Sequence, residues 1–243
     1  MIDLMVVSMG DAWGAEMLTR NLNNSGVSSG LINVMAFING PVEQCWVDAV
    51  GDGCIMSDLS NHGFPVAANE LIHAGKNEEL ILVDDDVAFP QGWVARLIEA
   101  RKAVVKAGLP VGLGGIPLDA WKPEELGMLT MVGGIQIRPR STPIGGCRHL
   151  GRETVEEMGY ICEGYFPCGG DDVDYCNRLS WAGKYNYHIE AVRSTHEHHE
   201  RDAAYKQAKA EALLRIADVD AKQQFGYRRG QFKYTPQREW LFT

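Results

Sequence analysis

The sequence predicts an α/β fold: a mainly parallel sheet flanked by helices, followed by a C-terminal helix and tail. Three observations carry this. Short apolar runs alternate with amphipathic stretches through the first 110 residues, the pattern of strands joined by helical crossovers. Turn-forming residues punctuate nearly every change of period. At 243 residues, 45% hydrophobic and 23% charged, the chain is long enough for one large domain or two small ones and has the composition of an ordinary globular protein.

The elements follow in order. "LMVVS" (4–8) is a short buried strand, and "GAEMLTRNLNNSG" (14–26) has helical spacing, with Met17, Leu18 and Leu22 on one side and Gly26 as a stop. "LINVMAFING" (31–40) is a second strand ending in a turn, and "CIMSD" (54–58) a third. "VAANELIHAG" (66–75) reads as a helix, "LILV" (80–83) as a fourth strand, and "PQGWVARLIEARKAVVKAG" (90–108) as a helix turning Trp93, Leu97, Ile98 and Val104 or Val105 inward. From 108 to 150 the chain is rich in Gly and Pro, and "GGIQIRP" (133–139) is the one clear strand. Helical spacing returns at 151–159 and 171–183, a strand follows at "YNYHIE" (185–190), and 201–225 is one Ala-rich helix. There is no internal repeat and no linker.

The formal charge of −9 argues against a general nucleic-acid binder. The last 22 residues run the other way: Lys222, Arg228, Arg229, Lys233 and Arg238 against Glu239, a charge of +4 that leaves −13 for the rest. Tyr227, Phe232, Tyr234 and Trp240 interleave with these charges, so residues 222–238 either meet an anionic or polymeric ligand or strap their rings onto the body of the protein. No apolar run approaches the ~18–20 residues of a membrane span, and "MIDLMVVSMG" lacks the basic flank of a signal peptide. Six cysteines without a C-x-x-C pair read as reduced thiols in a cytoplasmic protein.

The chemistry concentrates in "LILVDDDVAFPQGW" (80–93), where a buried strand runs into three adjacent aspartates. Two like charges about 4 Å apart repel by roughly 4 kcal/mol at the effective dielectric of a protein surface, so this segment needs a cation or much water. In extended backbone Asp84 and Asp86 point to one side and Asp85 to the other. Convergent carboxylates at the carboxyl end of a strand lie where open α/β sheets bind ligands, and hard oxygen donors suit Mg²⁺ or Mn²⁺ with substrate phosphates; the plainer reading is a solvated acidic turn capping the next helix. A second cluster, "CGGDDVDYCNRL", places Asp171 and Asp172 after two glycines at a helix start. There Asp172 is either a general base or, with Asp171, a cap, and Asp174 and Arg178 form an i,i+4 surface pair. The third, "STHEHHE", brings His196 within reach of a metal shell, while His198 and His199 read as a polar loop.

Taken in order, these pieces resemble the GT-A glycosyltransferases, specifically the family-2-like group. The resemblance rests on Asn61, Gly63 and Asn69 before an apolar strand ending in the Asp-x-Asp of Asp84 and Asp86, then Pro90, Gly92 and Trp93. Further on come the acid pair at 171–172, an Arg-Leu, an Ala-Gly, a strand and a His; it covers residues 55 to 198 well and the first 50 loosely. It implies a GT-A (Rossmann-like) mixed sheet with a catalytic domain over 1–200, donor-binding in 1–107 and acceptor-binding in 108–200, with 201–243 as the C-terminal helix and tail. It implies a metal-dependent enzyme transferring sugar from a UDP- or GDP-sugar to an acceptor hydroxyl, with Mn²⁺ or Mg²⁺ held by Asp86, Asp84 and His196. Asp172 would be the base, with Asp171 beside it. Ser8, Asn39, Asn61, Asn69, Asp84 and Asp85 would serve the donor, and Gly145, Gly146, Gly170 and Trp93 the acceptor side. Three departures stand out: Asp171 where the family usually has Glu, Asn39 where many members carry an acid that reads the base, and "SMGDAWG" after the first strand. The competing readings are a nucleotidyltransferase or sugar-nucleotide pyrophosphorylase, for which that turn has an acid where a base is needed, and an inactive binding module.

Overall fold

The computed structural model describes residues 1–120, 128–141, 146–197 and 203–242. Its strands are β1 (Ile2–Ser8), β2 (Ile32–Asn39), β3 (Cys54–Asp58), β4 (Glu79–Asp84), β5 (Val87–Ala88), β6 (Val111–Gly115), β7 (Thr130–Val132), β8 (Ile135–Pro139), β9 (Cys147–Gly151), β10 (Tyr185–Ile189) and β11 (Thr195–His196). The helices are α1 (Ala12–Asn23), α2 (Gln44–Val50), α3 (Gly63–Ala74), α4 (Trp93–Lys106), α5 (Arg152–Met158), α6 (Asp171–Trp181) and α7 (Ala203–Tyr227).

Nine strands form one sheet in the order β3-β2-β1-β4-β9-β6-β10-β8-β7, and β5 and β11 pair in a small separate one. β1 to β4 are mutually parallel and carry the near-continuous apolar runs expected of strands covered on both faces. β9 enters antiparallel between β4 and β6, with Arg148 opposite Leu82. One face of the sheet is covered by α1, α2 and α4 through Leu18, Trp46, Trp93, Leu97 and Val104. The other is covered by α3, α5 and α6 through Leu71, Val155, Tyr175 and Leu179. In α4, Trp93, Leu97 and Val104 are the inward residues; Val105 is half exposed.

The Gly- and Pro-rich middle holds four strands where the sequence shows one. Three of the five residues of β6 are glycine, and neighbours explain why: a Cβ at Gly112 would lie 2.1 Å from Asn186 Oδ1, and one at Gly114 3.0 Å from the Tyr187 hydroxyl. β9 carries Arg148 and His149 in place of an apolar alternation.

The tail is a strap. Asp174 and Arg178 pair at 3.0 Å as their spacing suggests, yet both are fully buried rather than on the surface, because Tyr227 donates to Asp174 and the chain from 228 onward crosses over them. Arg178 Nη2 donates to the Tyr160 carbonyl at 2.7 Å. Arg238 pairs with Glu70 and Glu163, Trp240 stacks on His73 at 3.9 Å, and Phe242 meets Phe37 edge-on at 5.8 Å. Much of the basic-aromatic character of 222–238 thus serves internal contacts. Replacing Arg238 by Ala strips a charged partner from Glu70, which is 1% exposed, and is expected to cost about 1.5–3 kcal/mol. Urea denaturation measures this, and an unchanged midpoint would make the tail a loose appendage.

Candidate active site

Ser8, Asn39 and Asp84 stand at the carboxyl ends of β1, β2 and β4, and the starts of α3 and α6 face them. This is the edge at which open α/β sheets bind ligands. The three aspartates take three different partners. Asp84 accepts from Arg148 Nη1 at 3.0 Å. Asp85 turns inward, is buried, and accepts from the Ser8 hydroxyl at 2.6 Å. Asp86 lies 3.2 Å from His196 Nε2 across the β5–β11 pair, and the Glu197 N–H donates to the Asp86 carbonyl at 2.9 Å. β4 ends at Asp84 and the chain turns at Asp85 and Asp86 before β5, so the three side chains part company, and Asp84 and Asp86 take different partners.

The cation that the acidic run requires is Arg148. Its Nη2 also lies 4.0 Å from Asp172 Oδ2, and its Cζ sits 4.7 Å above the Phe64 ring. The surrounding acids Asp84, Asp171 and Asp172 push its pKa above the ordinary guanidinium value although burial opposes this. Arg148 was not among the sequence candidates: it lies 64 residues from Asp84, in a stretch without strand periodicity. The charge argument asked for a cation without indicating where in the chain it would be found.

The two acids at the start of α6 differ in environment. Asp171 is buried, accepts from the Gly169 N–H at 2.9 Å through Oδ1, and leaves Oδ2 without a hydrogen-bond partner. Burial pushes its carboxyl up to about 6. Asp172 stands at the edge of the site and accepts from the Val173 N–H at 2.8 Å through Oδ1. Both line a cavity of about 20 Å³ with Arg148, Leu82 and Tyr175. Gly170, at φ +86, makes the left-handed turn into α6, and its missing Cβ leaves room for the Tyr165 ring 3.0 Å away.

Other predicted residues build the site from behind. Trp93, expected on the acceptor side, is fully buried, stacked on Phe89 at 4.4 Å, and donates through Nε1 to the Asn21 carbonyl at 2.9 Å. Asn69, expected at the donor, uses its buried amide on the backbone of Ile161 in both directions at 2.9 Å and on Glu163 Oε1 at 3.0 Å, tying α3 to the chain before α6. Ser8 and Asp85, both expected at the donor, bond each other, which anchors the turn after β1 to the end of β4. Gly146, expected on the acceptor side, shapes the strand end: a Cβ there would lie 2.3 Å from Val87, and its carbonyl accepts the Asp84 N–H at 2.9 Å. Asn39 accepts the His62 N–H at 3.0 Å, and exposed Asn61 caps the Gly63 N–H at 2.8 Å, so both organise the start of α3. Gly145, His198 and His199 lie outside the described residues.

Asn21 is a further residue the sequence did not single out. Buried on α1, it donates to the Val87 carbonyl at 2.8 Å and accepts the Phe89 N–H at 2.9 Å. The segment that follows the aspartates is thereby clamped from below. Nothing but its place on the inner face of a helix marks a polar residue for such a role.

Asp86 and His196 offer a carboxylate oxygen and an imidazole nitrogen, a donor set that suits a divalent ion such as Mn²⁺. Among the described residues no three His, Cys, Asp or Glu side chains come together as a metal cluster. The pair fits a divalent ion whose shell is shared with phosphate and water oxygens, as Mg²⁺-type sites do.

No protein-family model and no curated protein matches the sequence. Solved structures do match. The mannosyltransferase PcManGT from Pyrobaculum calidifontis, in complex with GDP-Man and Mn²⁺, superposes at a TM-score of 0.65 and 15% identity, covering 91% of this chain and 64% of that one. S. aureus TarS 1–349 in complex with UDP-GlcNAc superposes at 0.64 and 10% identity, covering 89% and 66%. GalNAc-T7 with UDP, GalNAc and Mn²⁺ superposes at 0.66 and 14% identity, covering 98% and 52%. The chain thus spans from about half to two thirds of the length of these three. They establish the class: the protein has the GT-A fold, with the large, mostly parallel sheet expected from the sequence. No helix among the described residues is long and apolar enough to cross a membrane.

Proposed function

We propose that the protein is a metal-dependent glycosyltransferase that moves a sugar from a UDP- or GDP-sugar to an acceptor hydroxyl with inversion at the anomeric carbon. The observation that carries this reading is the convergence, at the carboxyl edge of the parallel strands, of the Asp86–His196 pair with a partly exposed Asp172, both flanking the Asp84–Arg148 ion pair. The GT-A neighbours support it, being structures with GDP-Man, UDP-GlcNAc or UDP, two of them with Mn²⁺.

In this reading Asp86 and His196 hold the divalent cation, whose charge would stabilise the departing nucleoside diphosphate. Asp84 keeps one oxygen on Arg148 and turns the other to the donor. Asp172 takes the proton of the acceptor hydroxyl, the acceptor oxygen forms the new bond to the anomeric carbon, and the nucleoside diphosphate leaves with the electron pair of the broken bond. Asp171, deeper and with its carboxyl raised by burial, holds the start of α6 in place through the Gly169 N–H. The donor half is residues 1–107 and the acceptor half 108–200, with 201–243 bracing α6. The free thiols of all six cysteines suit a cytoplasmic setting.

Titration with UDP, GDP, CMP and dTDP, with and without Mn²⁺, tests the reading through thermal stability. One of the first two is expected to stabilise the protein only when Mn²⁺ is present, by ~2.7 kcal/mol at a hundredfold excess over the dissociation constant. No stabilisation by any nucleotide would remove the donor site.

A further inference from the structure

We propose that Arg148 is a positioning residue of the transfer site: its guanidinium ties Asp84 on the donor side to Asp172 on the acceptor side and so sets the gap across which the sugar passes. The proposal rests on the glycosyltransferase reading and adds a residue to it. The two carboxylates come from the end of β4 and the start of α6, and no strand or helix joins them directly. Arg148 does, because β9 runs antiparallel beside β4 and brings residue 148 alongside Leu82, two positions before Asp84. One arm of the fork meets Asp84 at 3.0 Å, and the other points toward Asp172 at 4.0 Å, where the charges attract without a direct hydrogen bond.

The guanidinium is itself held. Its side chain is 12% exposed, and Phe64 lies beneath it. The Phe64 N–H donates to the Pro167 carbonyl at 2.7 Å, in the loop that leads into Asp171 and Asp172. Contacts therefore close a ring from β4 through β9 and α3 to α6, with Arg148 the cation at its centre. A planar fork with fixed N–H directions can address two carboxylates at once, whereas an ammonium is a single compact charge on a flexible stem. A small error in the placement of a base relative to the reacting carbon carries a large penalty in rate, so a residue that fixes this spacing acts on turnover more than on donor affinity.

Arg148→Lys and Arg148→Met, made in the full chain, test this. Melting temperature, Mn²⁺-dependent UDP or GDP binding, and kcat and KM for hydrolysis of UDP-GlcNAc, UDP-GalNAc and GDP-mannose would be measured for each. The Lys variant is expected to keep the wild-type melting temperature to within a few degrees, and nucleotide affinity and KM to within threefold, while kcat falls at least tenfold. The Met variant is expected to lose melting temperature as well, because three acids then face no cation. A Lys variant that turns over at the wild-type rate would reduce Arg148 to a neutralising charge and overturn the proposal while leaving the donor site intact. A Lys variant that loses nucleotide binding as steeply as turnover would make Arg148 a donor contact and overturn it too. If wild type neither binds a nucleotide with Mn²⁺ nor hydrolyses any of the three donors, the glycosyltransferase reading falls first and takes the proposal with it.

Discussion

Asp172→Asn protein is expected to bind nucleotide and Mn²⁺ as wild type does and to turn over about 10²–10⁴-fold more slowly, the usual range for losing a general base. The substitution is nearly isosteric, and an Asn carbonyl still accepts the Val173 N–H that Asp172 now accepts at 2.8 Å, so the start of α6 keeps its shape. What disappears is an oxygen able to take a proton. Asp171 is a poor substitute: it is 3% exposed, and its placement directs Oδ1 to the Gly169 N–H. Calorimetric nucleotide binding compared with donor turnover in the same preparation separates the two effects. A variant with more than a tenth of wild-type turnover would sink Asp172 as the base and with it the inverting assignment.

Asp86→Ala is expected to abolish the Mn²⁺-dependent part of nucleotide binding. Asp86 and His196 face each other across β5 and β11, and in the proposed site Asp86 is the charged ligand of the pair, so its loss removes the carboxylate that attracts the cation. The nucleotide-induced stabilisation, ~2.7 kcal/mol at a hundredfold excess, should fall to the value seen without metal. His196→Ala should weaken the metal response less, because it retains the carboxylate. Overall folding should survive both changes, since each side chain is partly exposed. Wild-type Mn²⁺ dependence in the Asp86→Ala protein would place the ion elsewhere.

The parts of the fold that were legible are those whose own side chains state their surroundings. β1, β2 and β4 are near-continuous apolar runs because they are parallel strands covered on both faces. α4 shows its 3.6-residue stripe because one side faces the sheet. β6 and β9 were not legible, because their residues answer to neighbours: glycine where Asn186 and Tyr187 press in, and arginine and histidine where acids wait. α2 escaped notice for a similar reason. It has seven residues, of which Trp46 and Val50 are buried, too few to show a period.

The candidate site divides along the same line. The acidic run at 84–86, the pair at 171–172 and His196 are visible as residue types at suggestive places, but the turn at 85–86 and the contact of Asp85 with Ser8 belong to the tertiary structure. Whether a residue in such a segment faces a ligand or the interior is a different kind of question. Asn69 and Trp93 sit in the segment that carries the resemblance, yet both are buried and hydrogen-bonded within the protein.

Periodicity, charge order and turn chemistry are local properties, so the sequence by itself determined the α/β class, strands β1 to β4 and the positions of the acids. Which cation answers those acids is a matter of contacts between residues far apart in the chain. Only the tertiary structure decided that Arg148 meets Asp84, that Asp86 and not Asp84 faces His196, and that Asp172 rather than Asp171 reaches the open edge of the site. Each of these depends on how β9, β11 and α6 pack against β4, which no short-range pattern encodes.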